Sequence, residues 1–241
     1  MYQKSLNQFN YQILIFALMK RTLIKTADGS HSILVDELRE SFHSQNGSIQ
    51  ESVHTFINAG LFFLKETFNP SEVNIYEVGF GTGLNALLTE KWARENKTKC
   101  NYHSIEAYPL EAELWKELNY PSEIPNSSIE IFNELHKSPW HKQVEIGEWF
   151  KLTKYDEKIQ SFIPDKKFNL IYFDAFAPSV QPHLWKHEIF EMIYKQMSKK
   201  SVLVTYSAAG APRNAMAKAG FWIEELKGAA GKKEMTRAIK W

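Results

Sequence analysis

A single cysteine, Cys100, is all the thiol chemistry this 241-residue chain holds. One thiol makes no intramolecular disulfide and no multi-cysteine zinc site, and it fits a reducing, cytoplasmic setting. An excess of charge of either sign is missing too: 29 Lys and Arg stand against 28 Asp and Glu, a formal net charge of +1. A polyanionic partner therefore has to be met by a local basic patch, not by the field of the whole chain. Long apolar runs are also lacking. The run from Tyr11 to Met19 follows Lys4, but its core, Ile13 to Met19, is far shorter than the ~20 residues of a membrane span. No small-residue cleavage site precedes Lys20 and Arg21, so residues 1–18 read as a dispensable extension and no membrane association is expected. The histidines show no metal-ligand spacing beyond His183 and His187, an i, i+4 pair without the glutamate of a metalloprotease helix, and no metal is expected.

What is present is ordinary globular material: 44% apolar, 24% charged and 14% aromatic residues, without repeats or low-complexity segments. Residues 19–69 read as a small unit. Thr22 to Thr26 and His31 to Val35 are β-prone runs joined by Asp28-Gly29, a hairpin signal, and Val53, Phe56, Ile57, Leu61 and Leu64 keep helical spacing over Gln50 to Glu66. From residue 70 to 241 strands and helices alternate. Strands are expected at Val73–Val78, Cys100–Glu106, Phe150–Lys154, Phe168–Phe173 and Ser201–Tyr206. Helices are expected at Leu84–Asn96, Glu111–Leu118, Ile159–Phe162 (the tail of a short one), Trp185–Met197 and Arg213–Ala219. This alternation predicts an α/β fold with a mostly parallel sheet. Phe221–Leu226 and Met235–Ile239, separated only by a loop, predict a C-terminal antiparallel hairpin at the sheet edge.

Two strand ends carry chemistry. Glu77-Val78-Gly79-Phe80-Gly81-Thr82-Gly83-Leu84-Asn85 turns from strand to helix, at the sheet edge where open α/β folds bind ligands. A dinucleotide fingerprint needs its third glycine at position 84, which is Leu84. Glycines at 79, 81 and 83 behind an acidic residue instead resemble the first motif of class I S-adenosylmethionine-dependent methyltransferases, and imply a Rossmann-like fold of that class. That resemblance makes Glu77, Gly79, Gly81, Thr82, Gly83 and Asn85 cofactor-binding candidates. Glu106, ending the second strand, is the candidate acceptor for the ribose hydroxyls. The second strand end, Phe173-Asp174-Ala175-Phe176-Ala177-Pro178, places Asp174 on the same edge, where a carboxylate can hold an amine and take its proton. On residue type alone, Asp174 also reads as a helix N-cap or turn former. Phe176 and Pro178 would shape an apolar wall for a planar substrate.

Four strings, E-V-G-F-G-T-G-L-N (77–85), F-D-A-F-A-P-x-x-Q-P-x-L-W (173–185), S-A-A-G-A-P-R-N-A-M-A-K-A-G-F (207–221) and K-G-A-A-G-K-K-E-M (227–235), together resemble the methyltransferase half of the bacterial MnmC family, whose stand-alone form is MnmD. The resemblance implies transfer of a methyl group from S-adenosylmethionine to the amine of 5-aminomethyl-2-thiouridine at the tRNA wobble position. It makes Asp174 the catalytic residue, Phe176, Pro178, Trp185, Arg213, Lys232 and Lys233 substrate-side candidates, and Glu51 and Asp156 further cofactor candidates. Ala175 and Gln181 depart from the glycine and asparagine expected there. The sequence stops soon after the last strand, so no FAD domain is expected and a separate enzyme is expected to supply the aminomethyl precursor. A methyl- or aminopropyl-transferase acting on a small amine, and a non-catalytic cofactor-binding module, remain as alternatives.

Overall fold

The computed structural model describes residues 19–229 and 231–241; residues 1–18, read above as an extension, lie outside them. Strands β1 (Arg21–Lys25), β2 (His31–Val35) and β3 (Glu40–Ser41) form a small antiparallel sheet, with Asp28 at the β1–β2 turn accepting from Thr26, Ser30 and Gln50. A continuous helix, α1, follows through Ser48–Ser52, Val53–Phe62 and Phe63–Phe68. Its middle stretch is π-helical: Phe63 N–H donates to Asn58, five residues back. A π-wound segment widens the helix and turns its side chains relative to an α-helix. Phe56, Ile57, Leu61 and Leu64 from α1 are buried with Ile75, Leu170 and Val204 of the main sheet. The helix or pair of helices expected over Gln50–Glu66 is thus one continuous helix and one layer of the central core.

The remaining strands, β4 (Glu72–Val78), β5 (Lys99–Ile105), β6 (Val144–Glu145), β7 (Phe150–Tyr155), β8 (Phe168–Phe173), β9 (Met197–Thr205), β10 (Trp222–Lys227) and β11 (Glu234–Lys240), form one sheet in the order β10-β11-β9-β8-β4-β5-β7-β6. The pairs β7–β5–β4–β8–β9 are parallel, while β11 lies antiparallel to both β9 and β10. Such strands are buried on both faces, which is why Phe168–Phe173 is apolar at nearly every position. Helix α2 (Leu84–Glu95) packs on the α1 side, and α6 (His187–Gln196) and α7 (Gly210–Lys218) pack together beyond the other face. This is the mostly parallel, class I methyltransferase architecture with a C-terminal antiparallel pair.

Three local expectations are corrected. Glu111–Leu118 is helical only at α3 (Ala112–Trp115), and the chain turns helical again at α4 (Tyr120–Glu123), where Pro121 occupies the first turn. Ile159–Ser161 is a single 3₁₀ turn. The segment 129–145, for which no element is expected, forms α5 (Ile129–Lys137), capped by Ser128 Oγ accepting from Ile131 N, and then the edge strand β6. Within the sheet β4 has β5 on one side and β8 on the other, so successive crossovers leave in opposite directions at the carboxyl ends of these strands. A crevice forms at that point.

Candidate active site

The turn after β4 is built on backbone that side chains would obstruct. Gly79 has φ +96°, and a Cβ there would lie 2.8 Å from the carbonyl oxygen of Asp174. Gly83 (φ +73°) begins α2, and its Cβ would meet His136 Nε2 at 2.8 Å. Glycine alone accepts both the dihedral and the crowding. Gly79 N–H donates across to Ile105 and Asp174 N–H to Val78, which ties the ends of β4, β5 and β8 into one floor.

Glu106 closes that floor. Its Oε2 accepts from Gly81 N–H at 3.0 Å and its Oε1 from Tyr108 N–H at 2.9 Å. Each oxygen retains a lone pair for a further donor. Burial pushes this carboxyl above its ordinary range, although both backbone bonds oppose the shift.

Asp174 stands opposite. Asn85 Nδ2 donates to its Oδ2 at 2.9 Å, and Oδ1 has no hydrogen bond to a described residue. Burial, followed by the negative charge of Glu51, pushes Asp174 up to about 7, with Asn85 and Lys232 pulling the other way. Glu51, 5% exposed, arrives from α1; its Oε2 accepts from Ser44 N–H at 2.8 Å and its Oε1 pairs with the Lys232 ammonium. Lys232 also lies 4.1 Å above the Tyr206 ring, a cation–π contact, and Tyr206 Oη donates to Ala175 O at 2.8 Å.

These groups line one cavity of about 830 Å³. Its ionisable lining includes Glu40, Glu51, Glu106, Glu157 and Asp174 against Lys158 and Lys232, an acidic balance suited to a ligand that carries positive charge. Phe42 and Phe176 meet edge to face at 5.2 Å on its wall. His43 Nε2 lies 2.7 Å from Thr82 Oγ1; burial pushes this ring down to about 4, so it is neutral at physiological pH and holds the turn without adding charge.

The remaining expected site residues divide by location. Glu51, Gly79, Gly81, Thr82, Glu106, Asp174, Phe176 and Lys232 line the cavity. Glu77, Gly83 and Asn85 lie behind the lining and support it. Pro178 does not line the cavity, although its neighbours Ala177 and Ser179 do. Four more lie away from the lining. Trp185 is 5% exposed and packs on Phe173; its Nε1 donates to Phe176 O at 2.9 Å, so it braces the Phe176 loop and offers no face for stacking. Arg213 bonds Thr236 Oγ1 and Met235 O and pairs with Glu225 and Glu234, which ties α7 to the hairpin. Asp156 is exposed, hydrogen-bonded to His141 and outside the cavity lining. Lys233 is exposed and outside the cavity. Phe42 and His43, unanticipated, come from the small sheet, where no local pattern marks them as lining.

Comparison with known proteins agrees with this geometry. Residues 133–241 match the model of a family described as S-adenosyl-L-methionine-dependent methyltransferase. The bifunctional tRNA 5-methylaminomethyl-2-thiouridine biosynthesis protein MnmC of Hydrogenovibrio crunogenus is 30% identical over 183 residues, 70% of this chain and 27% of that protein. The chain is thus similar to S-adenosyl-L-methionine-dependent methyltransferases and to MnmC. The MnmC protein of Legionella pneumophila (strain Philadelphia 1) is 26% identical over 86% of this chain and 34% of its own length, and an uncharacterised protein of Methanocaldococcus jannaschii is 24% identical over 92% and 60%. This chain therefore spans about a third or less of the MnmC relatives. The crystal structure of MNMC2 from Aquifex aeolicus superimposes with a TM-score of 0.75 at 24% identity, covering 97% of this chain and 76% of that one, and it shares the fold.

The residues present fit S-adenosylmethionine. Gly79 lets the turn pack directly on the backbone at the end of β8, Glu106 is fixed by two backbone donors while keeping acceptor capacity, and the acidic lining suits a sulfonium.

Proposed function

We propose that this protein methylates the primary amine of a 5-aminomethyl (2-thio)uridine at the tRNA wobble position, in the cytoplasm, using an aminomethyl precursor supplied by a separate enzyme. The observation that carries the reading is Asp174: a carboxylate at the cavity floor, held by Asn85 through one oxygen and adjoined by an aromatic wall. The names of the MnmC relatives support the substrate class. A cavity of about 830 Å³ lies toward the upper end of the ~300–1,000 Å³ range of small-molecule sites, which suits a nucleoside cofactor together with a second planar group.

Bound against the glycine turn and Glu106, S-adenosylmethionine supplies an electrophilic methyl group on a sulfonium. The protein's part is then to present a neutral amine, because an ammonium has no lone pair to attack with. Asp174 receives the amine at Oδ1 and takes the proton it sheds; a carboxyl raised to about 7 is matched to accepting a proton near neutral pH. Lys232, paired with Glu51, places a cation beside the site and disfavours binding of the amine in its charged form. Phe42 and Phe176 provide apolar and edge surface for an extruded base, the usual mode for enzymes that act on a nucleobase.

Mass analysis of wobble uridines in tRNA from cells lacking the protein tests the reading. Accumulation of the aminomethyl nucleoside is expected, and an unchanged nucleoside profile overturns it. Transfer to small amines with no transfer to tRNA would establish the small-molecule alternative.

A further inference from the structure

Glu77 opens the glycine motif, yet it does not reach the cavity. It is 1% exposed, on β4 beneath the turn, and Ser104 Oγ from β5 donates to its Oε2 at 2.6 Å. The side chains of Asn85 and Tyr102 face the same carboxyl. Asn85 spends Nδ2 on Asp174, and its other polar atom, Oδ1, is fully buried with no hydrogen-bond partner among the described residues. A buried orphan acceptor is costly, and it asks for a donor. Ser104 already donates to Glu77, and the Tyr102 hydroxyl beside that carboxyl has no hydrogen-bond partner among the described residues and is free to donate to it as well, so a proton on Glu77 can be directed to Asn85 Oδ1.

We propose that Glu77 is a protonated positioning residue: its carboxyl donates to Asn85 Oδ1 and thereby fixes the amide so that Nδ2 holds Asp174 Oδ2. The protonation state of Glu77 then decides how Asn85 faces. With Glu77 ionised, the favourable arrangement turns Nδ2 toward Glu77 and presents Oδ1 to Asp174, an acceptor against a carboxylate. With Glu77 neutral, Asn85 bridges an acid to a base and Asp174 stays aimed at the amine. Burial, with the charge of Asp174 as a smaller contribution and against the pull of Ser104, Tyr102 and Asn85, pushes Glu77 up to about 8, so the proton is retained at neutral pH. The titratable groups facing Glu77 are Asp174 beyond β8, Tyr172 on β8 and Tyr102 on β5. Burial holds both tyrosines well above their ordinary range, which leaves Asp174 as the one that exchanges charge with it near neutrality.

The motif acid is thus assigned to the amine side of the reaction, through Asn85, and not to a charge contact with the cofactor. This inference rests on the reading of Asp174 as the amine-binding carboxylate, and the experiment separates the two. Infrared difference spectra of E77Q against its parent, both in a D174N background at pH 6, are expected to show one protonated-carboxyl band lost, with or without a known substrate. In steady-state methylation of precursor tRNA, E77L is expected to lower kcat by about 100-fold, the scale of a misplaced reacting group, and E77Q to restore it to within about threefold. E77Q keeps wild-type cofactor affinity and lacks the alkaline fall in rate that wild type shows above about pH 8. E77Q as slow as E77L, or a spectrum without the lost band, overturns the proposal. Should E77L fail to fold, the E77Q spectrum and pH profile decide alone. Wild-type protein that binds cofactor but methylates no tRNA sinks the amine-transfer reading, while the infrared band still tests the proton.

Discussion

Lys232 reaches back 181 positions along the chain to pair with Glu51, so the C-terminal hairpin and the first long helix meet inside the cavity. The pair sits beside Asp174, on which its two members act in opposite senses: Glu51 raises the carboxyl and Lys232 lowers it. Replacing Lys232 by Met removes only the lowering influence. The Asp174 carboxyl then titrates above its present value of about 7, less of it is ionised at neutral pH, and the limb on which the rate rises with pH moves to higher pH. A pH profile of kcat for K232M checks this; a limb in the wild-type position argues against the electrostatic role.

Asp174→Asn keeps the shape and loses the base. Removing a positioned general base costs on the order of 10²–10⁴ in kcat. S-adenosylmethionine affinity, measured by calorimetry, is expected to stay within a few-fold of wild type, because Asp174 lies across the cavity floor from Glu106. Near-normal turnover in this variant would remove Asp174 from the chemistry.

Glu106→Ala acts on the cofactor side. It removes two charge-assisted bonds that fix Gly81 and Tyr108, together with any bond to the ribose. Hydrogen bonds to charged groups are worth about 1.5–3 kcal/mol, so a rise in cofactor Kd of roughly ten- to a hundredfold is expected. An unchanged Kd would contradict the assignment.

Arg213 and Lys233 separate structural from interfacial charge. Arg213→Ala breaks a part-buried cluster with Glu225 and Glu234 and is expected to lower Tm without altering the salt dependence of tRNA binding. Lys233→Ala, at an exposed position, is expected to leave Tm unchanged and to reduce the slope of log Kd against log salt by about one if it meets a phosphate. The reverse pattern would place Arg213 at the RNA surface.

The sequence made the glycine turn, Glu106 and Asp174 legible because each ends a strand whose apolar run is visible locally, and parallel pairing brings such ends together. The same local logic does not reach the partners of Arg213 and Trp185. Both stand in motif-like strings, but their partners, Glu234 and Thr236 for one and Phe173 and the Phe176 carbonyl for the other, are chosen by tertiary packing with no sequence period to announce it. Phe42 and His43 were hidden for a related reason. They follow a two-residue strand in the small sheet, and their place on the cavity wall is set by how that sheet docks over the turn. Asp156 follows β7, where the chain turns outward to His141, a contact no local pattern announces.

The position of β11 bears on the order of events during synthesis. It is inserted between β9 and β10, so the earlier strand of the hairpin cannot join the sheet until residues 234–240 have left the ribosome. Lys232 immediately precedes that strand. A nascent chain short of β11 therefore holds Glu51 without its counter-ion and the cavity without Lys232 in its lining, and cofactor capture on the ribosome should begin only once β11 has paired.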